Sequence, residues 1–113
     1  MAPVLLRSRK VTEHRGDHSF EQGVMVDVGP GAGALVIYTK DDLRDEEIEI
    51  SPMGDDANRT HTDVLRRKIA GGHVNAAVFG SLPEGEYRLW HRTLSEPAAV
   101  RIVSSEVTEL DWR

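Results

Sequence analysis

The sequence predicts an all-β fold, an antiparallel β-sandwich of about seven short strands. Apolar and polar residues alternate with a period of two in several segments, as they do in half-buried strands. Turn-forming residues recur every 8–12 positions, which is typical of sandwiches and barrels. At 113 residues, 39% of them hydrophobic, the chain predicts one domain with one modest core. In this domain residues 1–22 are expected to form an N-terminal arm or edge strand followed by a loop.

The N-terminal part contributes three expected elements. Residues 1–10 predict an arm or a short edge strand, and the polar segment 11–21 predicts a loop that carries two histidines, His14 and His18. Valines alternate with other residues from 24 to 28, which predicts a half-buried strand. The apolar run 34–38 then predicts a central strand that is buried on both faces.

The middle of the chain predicts a charged turn, with room for a small helix at 41–45, followed by a strand over residues 46–50. In this strand the isoleucines face inward, and Glu47 and Glu49 face outward about 7 Å apart. The basic residues 66–68 are expected to pair with these glutamates across strands. Residues 61–69 allow either a strand or a short helix. A strand is favoured because threonines precede the segment and Gly71-Gly72 ends it as in a hairpin.

The last third predicts four strands, at 73–79, 87–91, 98–103 and 107–112. Between the first two lies the segment 81–86, where Pro83 and Gly85 favour a tight turn. In the strand that follows, Tyr87, Leu89 and His91 are expected on one face, and Arg88 and Trp90 on the other.

Composition excludes several classes of function. The chain has no cysteine, which excludes a disulfide scaffold, a thiolate nucleophile and cysteine-ligated metals. Its net charge is −5 and no basic stripe is interleaved with aromatic residues, so a nucleic-acid partner is not expected. No apolar run has the length of a signal peptide or membrane span, and we therefore expect a cytoplasmic protein without a membrane partner. Only three of its 14 basic residues are lysines, a bias that points to a bacterial source.

Two motifs carry a resemblance to a known family. The segment Leu82-Pro83-x-Gly85-x-Tyr87-x-Leu89, preceded by an apolar strand, resembles the signature of prealbumin-like β-sandwiches. These include transthyretin-like, carboxypeptidase-regulatory-like and collagen-adhesin B-type domains. The segments 100–102 and 107–111 resemble the hairpin that follows in those domains. The resemblance covers residues 32–113, and the chain also resembles small stand-alone bacterial proteins that end in Val-Thr-x-Leu-Asp-Trp-Arg.

The resemblance implies a prealbumin-like fold with Greek-key connections, used as an accessory, interaction or structural module. The sequence departs from the family's active members, because it ends in Leu-Asp-Trp-Arg113 where transthyretin-like hydrolases have a Tyr-Arg-Gly-Ser-type tetrapeptide. It also has no lysine and asparagine pattern that matches the adhesin cross-link. Neither hydrolysis nor cross-linking is therefore carried over.

The residues allow two functions. The first is a non-catalytic binding module that contacts another protein, or itself, through an exposed edge strand or an aromatic patch. Trp90, Arg88 and Tyr38 are its candidate binding residues, because aromatic residues and arginine are enriched at interface hot spots. No cofactor is predicted for this module.

The alternative is a small hydrolase or a metal-dependent enzyme that uses strand histidines and carboxylates. His61 and His91 are the candidate metal ligands, since both lie on predicted strands or at their ends. Glu47 and Glu49 could supply acid–base chemistry, and Ser81, at the start of the 81–86 segment, is the candidate nucleophile.

Overall fold

The structure, a computed structural model, describes the backbone of residues 5–10 and all of residues 30–113. The strand expected at 24–28 and the histidines His14 and His18 lie outside these residues. The described part is all-β, with one short 3-10 helix at Asp41–Leu43, where the sequence predicts room for a small helix. Its strands are β1 (Leu5–Lys10), β2 (Ala32–Thr39), β3 (Glu47–Pro52), β4 (Thr60–Asp63), β5 (Leu65–Ile69), β6 (Gly72–Pro83), β7 (Gly85–Trp90), β8 (Ala98–Ile102) and β9 (Glu106–Asp111).

These strands form two packed sheets. The five-stranded sheet has the order β1-β9-β2-β6-β5, and the four-stranded sheet has the order β4-β3-β7-β8. Every pairing is antiparallel except that of β2 with β9, which is parallel. The expectation of a purely antiparallel sandwich is therefore wrong for the five-stranded sheet. Of the segment 1–10, expected to be an arm or a short edge strand, Leu5–Lys10 form β1 at an edge of the five-stranded sheet.

Alternating apolar residues on both sheets build the core between them. In β3 the isoleucines Ile48 and Ile50 point inward, and in β7 Tyr87 and Leu89 do the same. The other main core residues are Leu35, Ile37, Val64, Ala77, Phe79, Val100, Ile102, Leu110 and Trp112. Period-two alternation in the sequence thus places one face of each strand against the facing sheet.

Strand β2 is buried on both faces, as its apolar sequence predicts. Leu35 and Ile37 face the core between the sheets, whereas Val36 and Tyr38 belong to a second buried cluster on the opposite face. β2 is the central strand of the five-stranded sheet and lies between β9 and β6. This central place explains why no polar side chain interrupts residues 34–38.

The motif at residues 82–87 joins the two sheets. Strand β6 ends at Pro83 in the five-stranded sheet, and β7 begins at Gly85 in the four-stranded sheet. Gly85 adopts a φ of 154°, and the Tyr87 hydroxyl donates to the Pro83 carbonyl at 2.6 Å, which ties the crossing together. Strands β8 and β9 also lie in different sheets. The hairpin expected for segments 100–102 and 107–111 is therefore wrong, and the Ser104-Ser105 turn is a second crossing.

Residues 61–69 form two strands in different sheets. Strand β4 pairs with β3, the chain crosses at the buried Val64, and β5 pairs with β6. The Val64 amide and carbonyl bond to residues 46 and 45 beside β3, which fixes the crossing. The predicted β5–β6 hairpin is confirmed, with Gly71 at a φ of 84° in its two-residue turn. The prediction that the basic residues 66–68 pair with the glutamates of β3 is wrong, because those residues lie in β5 of the other sheet.

Candidate functional site

The outer face of the four-stranded sheet carries Trp90 and Arg88, two of the three predicted binding residues. Alternation in β7 turns both outward, because Tyr87 and Leu89 take the core positions. In the antiparallel register Trp90 lies opposite Glu49, and Arg88 lies opposite Ser51. Trp90 is half-buried, and its indole N–H donates to the fully buried Ser51 hydroxyl at 2.9 Å. This bond fixes the orientation of the ring on the sheet.

Arg59 covers the Trp90 ring. Its guanidinium carbon lies 3.7 Å from the ring centroid, a close cation–π arrangement. One terminal nitrogen of the same guanidinium donates to Glu49 Oε1 at 3.3 Å. The face therefore holds a guanidinium group between an aromatic ring and a carboxylate.

The loop between β3 and β4, residues 53–59, brings Arg59 to this position. Arg59 Nε donates to the Asp56 carbonyl within the loop at 2.9 Å. Met53 and Asp56 of this loop also contact Arg88, whose Nε lies 3.1 Å from Met53 Sδ and 3.7 Å from Asp56 Oδ1. Because every residue of this loop is exposed, polar contacts with β7 hold it rather than burial.

A groove of about 550 Å³ lies at Trp90, the last residue of β7. We call it the Trp90 groove; it is lined by Glu46, Glu47, Glu49, Arg59, Trp90, His91 and Arg92. Its lining carries three carboxylates and two guanidinium groups. The groove is therefore an open and strongly charged surface with one large aromatic ring at its floor.

Glu46 is the most constrained carboxylate of the groove. Arg92 binds it through two nitrogens, with Nε 3.0 Å from Oε1 and Nη2 2.6 Å from Oε2. These charge-assisted hydrogen bonds lower the pKa of Glu46, and a weaker bond from His91 acts in the same direction. The same pairing raises the pKa of Arg92. Glu46 is thus a weaker base than an ordinary glutamate, and both of its carboxylate oxygens are bonded to Arg92.

The two predicted metal ligands take different partners. The His91 side chain is almost fully buried, and its Nε2 lies 2.9 Å from Glu46 Oε1. The Thr93 amide donates to His91 Nδ1, which assigns the ring proton to Nε2. His61 is exposed on β4, and its Nε2 lies 3.2 Å from Glu47 Oε2. Among residues 30–113 no group of three or more histidine and acidic side chains could hold a metal, and a metal at these histidines stays a prediction.

Tyr38, the third predicted binding residue, lies elsewhere in the molecule. Only 2% of it is exposed, on the outer side of the five-stranded sheet, and its hydroxyl bonds to the buried carboxylate of Glu109. The Arg113 guanidinium lies 5.1 Å from the centroid of its ring. Tyr38 therefore shares no surface with Trp90, and it has no exposed area to offer a partner.

The residues of the enzyme hypothesis are also distributed over the two sheets. Ser81 is exposed on β6 in the five-stranded sheet, whereas both strand histidines pair with glutamates beside or within the four-stranded sheet. The outward positions of Glu47 and Glu49 match the sequence prediction. Each of these carboxylates has a separate cationic or imidazole partner, His61 for Glu47 and Arg59 for Glu49.

Sequence reasoning missed Arg59, Glu46 and Arg92. Arg59 belongs to a polar, turn-rich segment, and no local pattern relates it to a tryptophan 31 positions further along the chain. The pairing of Arg92 with Glu46 joins residues 46 positions apart. For the carboxylates of the groove, the sequence carries a signal at Glu47 and Glu49, because alternation places both on the outward face of β3.

Comparison with known proteins adds no relative: no protein-family model, no curated protein and no solved structure matches the chain. Among the described residues no helix has the length and apolar character needed to cross a membrane.

Proposed function

We propose that this protein is a non-catalytic binding module that recognises a protein partner through the Trp90 groove. The observation that carries the proposal is the half-buried Trp90 ring, placed on an outer sheet face and stacked against an arginine. Tryptophan and arginine are the residues most enriched at interface hot spots. A ring held by Ser51 from below is also pre-organised, so that binding orders little additional side chain.

The charged pairs around the ring favour recognition by a protein surface. Glu47, Glu49 and Arg92 lie at the rim and are partly or fully exposed. Such rim charges set specificity and association rate more than affinity, whereas a central aromatic ring supplies apolar contact area. The arrangement of one aromatic residue within a polar rim is that of a small interaction surface.

The exposed edge strands support this role less well. Strand β5 carries Arg66 and Lys68 at exposed positions, and charges of this kind protect sheet edges against pairing. Strand β4 is only four residues long. In β8 the Arg101 carbonyl already accepts a hydrogen bond from Thr108, at 3.4 Å. A partner that adds a strand is therefore the second choice.

The enzyme hypothesis finds less support in the same geometry. Glu46 is bound by two nitrogens of Arg92, and this pairing lowers its pKa and makes it a poorer base. The histidine next to the groove, His91, uses both ring nitrogens in hydrogen bonds. A general base needs a nitrogen or carboxylate oxygen that can accept a proton from a substrate, and these groups are engaged.

Peptide display against the immobilised protein tests the proposal. A library of random peptides is selected on the wild-type protein, and the binders are titrated against W90A and against R66A, a matched change on the other sheet. We expect W90A to weaken binding by about 30-fold or more, as removal of a hot-spot residue does. We expect R66A to bind as the wild type does.

Two results would overturn the proposal. One is a set of binders whose affinity is unaffected by W90A but lost on R66A or on changes in β8, which would assign recognition to a sheet edge. The other is the absence of any saturable binder. Circular dichroism of W90A serves as the control for folding, because the substitution also removes the indole bond to Ser51.

A further inference from the structure

The Trp90 groove already holds a ligand-like group from its own chain. The Arg59 guanidinium stacks on the Trp90 ring at 3.7 Å and bonds to Glu49 at 3.3 Å. Ring stacking and a carboxylate are the two contacts by which proteins recognise an arginine side chain. Arg59 thus makes, within its own chain, the two contacts that a bound arginine side chain would make.

We propose that the groove takes an arginine side chain of the partner, and that Arg59 occupies this place in the unbound protein. The inference deepens the proposed function and rests on it, since it names the chemistry of the partner at the same groove. In the complex the partner's guanidinium stacks on Trp90 and bonds to Glu49, and the loop of residues 53–59 releases Arg59.

The contacts of Arg59 are exposed enough for an arginine of a partner to replace it. The side chains of Arg59 and Glu49 are 36% and 43% exposed, so a competing group can reach both. Ion pairs with this much exposure contribute little to stability, and cation–π contacts at exposed sites contribute modestly. The remaining bond of Arg59, from Nε to the Asp56 carbonyl, lies within its own loop and outside the sheet.

Arginine fits this place better than lysine or an anion. A planar guanidinium can stack on the indole and donate to a carboxylate at the same time, whereas an ammonium is a compact and strongly hydrated charge. Glu47 lies on the same strand face as Glu49, and both carboxylates oppose an anionic ligand. The chain's net charge of −5 further favours approach of a cationic partner.

Ethylguanidinium, the isolated head group of arginine, is the probe for this place. The indole N–H signal of Trp90 is followed by two-dimensional NMR during titration of ethylguanidinium into wild type, R59A and R66A. The indole signal of Trp112, which is buried, serves as an internal control. Ethylurea has a similar shape without the charge, and it is titrated in parallel.

We expect a saturable shift of the Trp90 signal with ethylguanidinium, in the millimolar range. R59A should bind on the order of threefold more tightly than wild type or R66A, because the competing cation–π contact is removed. E49Q in the R59A background should weaken the binding, and ethylurea should leave the Trp90 signal in place.

Equal shifts with ethylurea, equal affinities in R59A and R66A, or shifts at Trp112 as large as at Trp90 would each overturn the inference. Such a result leaves the proposed function to its own test, because display can still yield peptides that need Trp90 but contain no arginine. Conversely, saturable binding of ethylguanidinium with no Trp90-dependent peptide would support the arginine place and contradict the protein-binding module.

Discussion

Gly33 in β2 allows a close approach between the two sheets, and its replacement by alanine tests this packing. A Cβ atom at position 33 would lie 2.4 Å from the Val103 carbonyl oxygen and 2.7 Å from Ile102 Cγ2. It would also lie 3.2 Å from the Glu106 carbonyl oxygen. Carbon atoms in contact are normally about 3.5–4.0 Å apart, so the new atom overlaps its neighbours by roughly 1 Å.

The overlap is costly because two of the three neighbours are backbone atoms. Val103 and Glu106 flank the crossing from β8 to β9. Their carbonyl oxygens belong to the backbone and cannot rotate away as the end of a flexible side chain could. Insertion of one carbon into a well-packed place costs about 1–3 kcal/mol, and a backbone clash belongs at the upper end, about 2–3 kcal/mol. For a chain of this length this lowers Tm by about 10 °C.

Gly80→Ala in the neighbouring strand β6 is the matched control. Gly80 has open space around its Cα, with nothing within 4 Å of an added Cβ, and its φ is not positive. We expect thermal and urea unfolding to show G80A within about 0.5 kcal/mol of wild type, as for substitutions outside special sites. A G33A protein as stable as G80A would refute the packing of β2 against the β8–β9 crossing.

Two further predictions concern the core and the groove. Leu89→Ala should lower the free energy of unfolding by about 2–5 kcal/mol because Leu89 is fully buried, whereas Leu65→Ala, at a side chain 43% exposed, should change it by about 0.5 kcal/mol or less; urea unfolding compares the two. Glu46→Gln should flatten the pH dependence of stability: Arg92 lowers the pKa of Glu46 in the folded protein below its ordinary value of 4.5, so the stabilisation is present above that pH and is lost as the pH falls. Urea unfolding midpoints from about pH 7 to pH 3 measure this pH dependence, and the same change of midpoint with pH in wild type and E46Q would contradict the pairing.

Local patterns in the sequence predicted the strands well. Alternation placed Ile48 and Ile50 in the core and Trp90 on the outer face, because the period of two depends only on neighbouring residues. The unbroken apolar run 34–38 likewise predicted a strand buried on both faces. The Gly71 turn predicted the β5–β6 hairpin, since its φ of 84° is a local requirement.

Pairing between strands could not be predicted in the same way. Pro83 and Gly85 indicate that the chain changes direction, but the signal does not say which sheet the next strand joins. The parallel pairing of β2 with β9 joins residues about 70 positions apart, and no periodicity records it. For this reason the sequence predicts a hairpin between segments 100–102 and 107–111 and one strand over 61–69, at two places where the chain crosses between sheets.

The candidate site was predicted in part for the same reason. Trp90 and Arg88 share the outer face of β7, as alternation predicts, and Glu49 faces the same way on β3. The cation on Trp90 comes from a loop whose sequence indicates only a turn. The prediction for Tyr38 depends on its aromatic character alone, which does not distinguish a surface ring from one buried beside Glu109.

Quenching of tryptophan fluorescence by acrylamide tests most directly the claim on which both proposals depend, that Arg59 covers Trp90. The chain has two tryptophans, and W112F leaves Trp90 as the single emitter. In this background we predict that R59A raises the Stern–Volmer quenching constant, because the stacked guanidinium no longer shields the ring, whereas R66A leaves it unchanged. Equal quenching constants for R59A and R66A would contradict the claim.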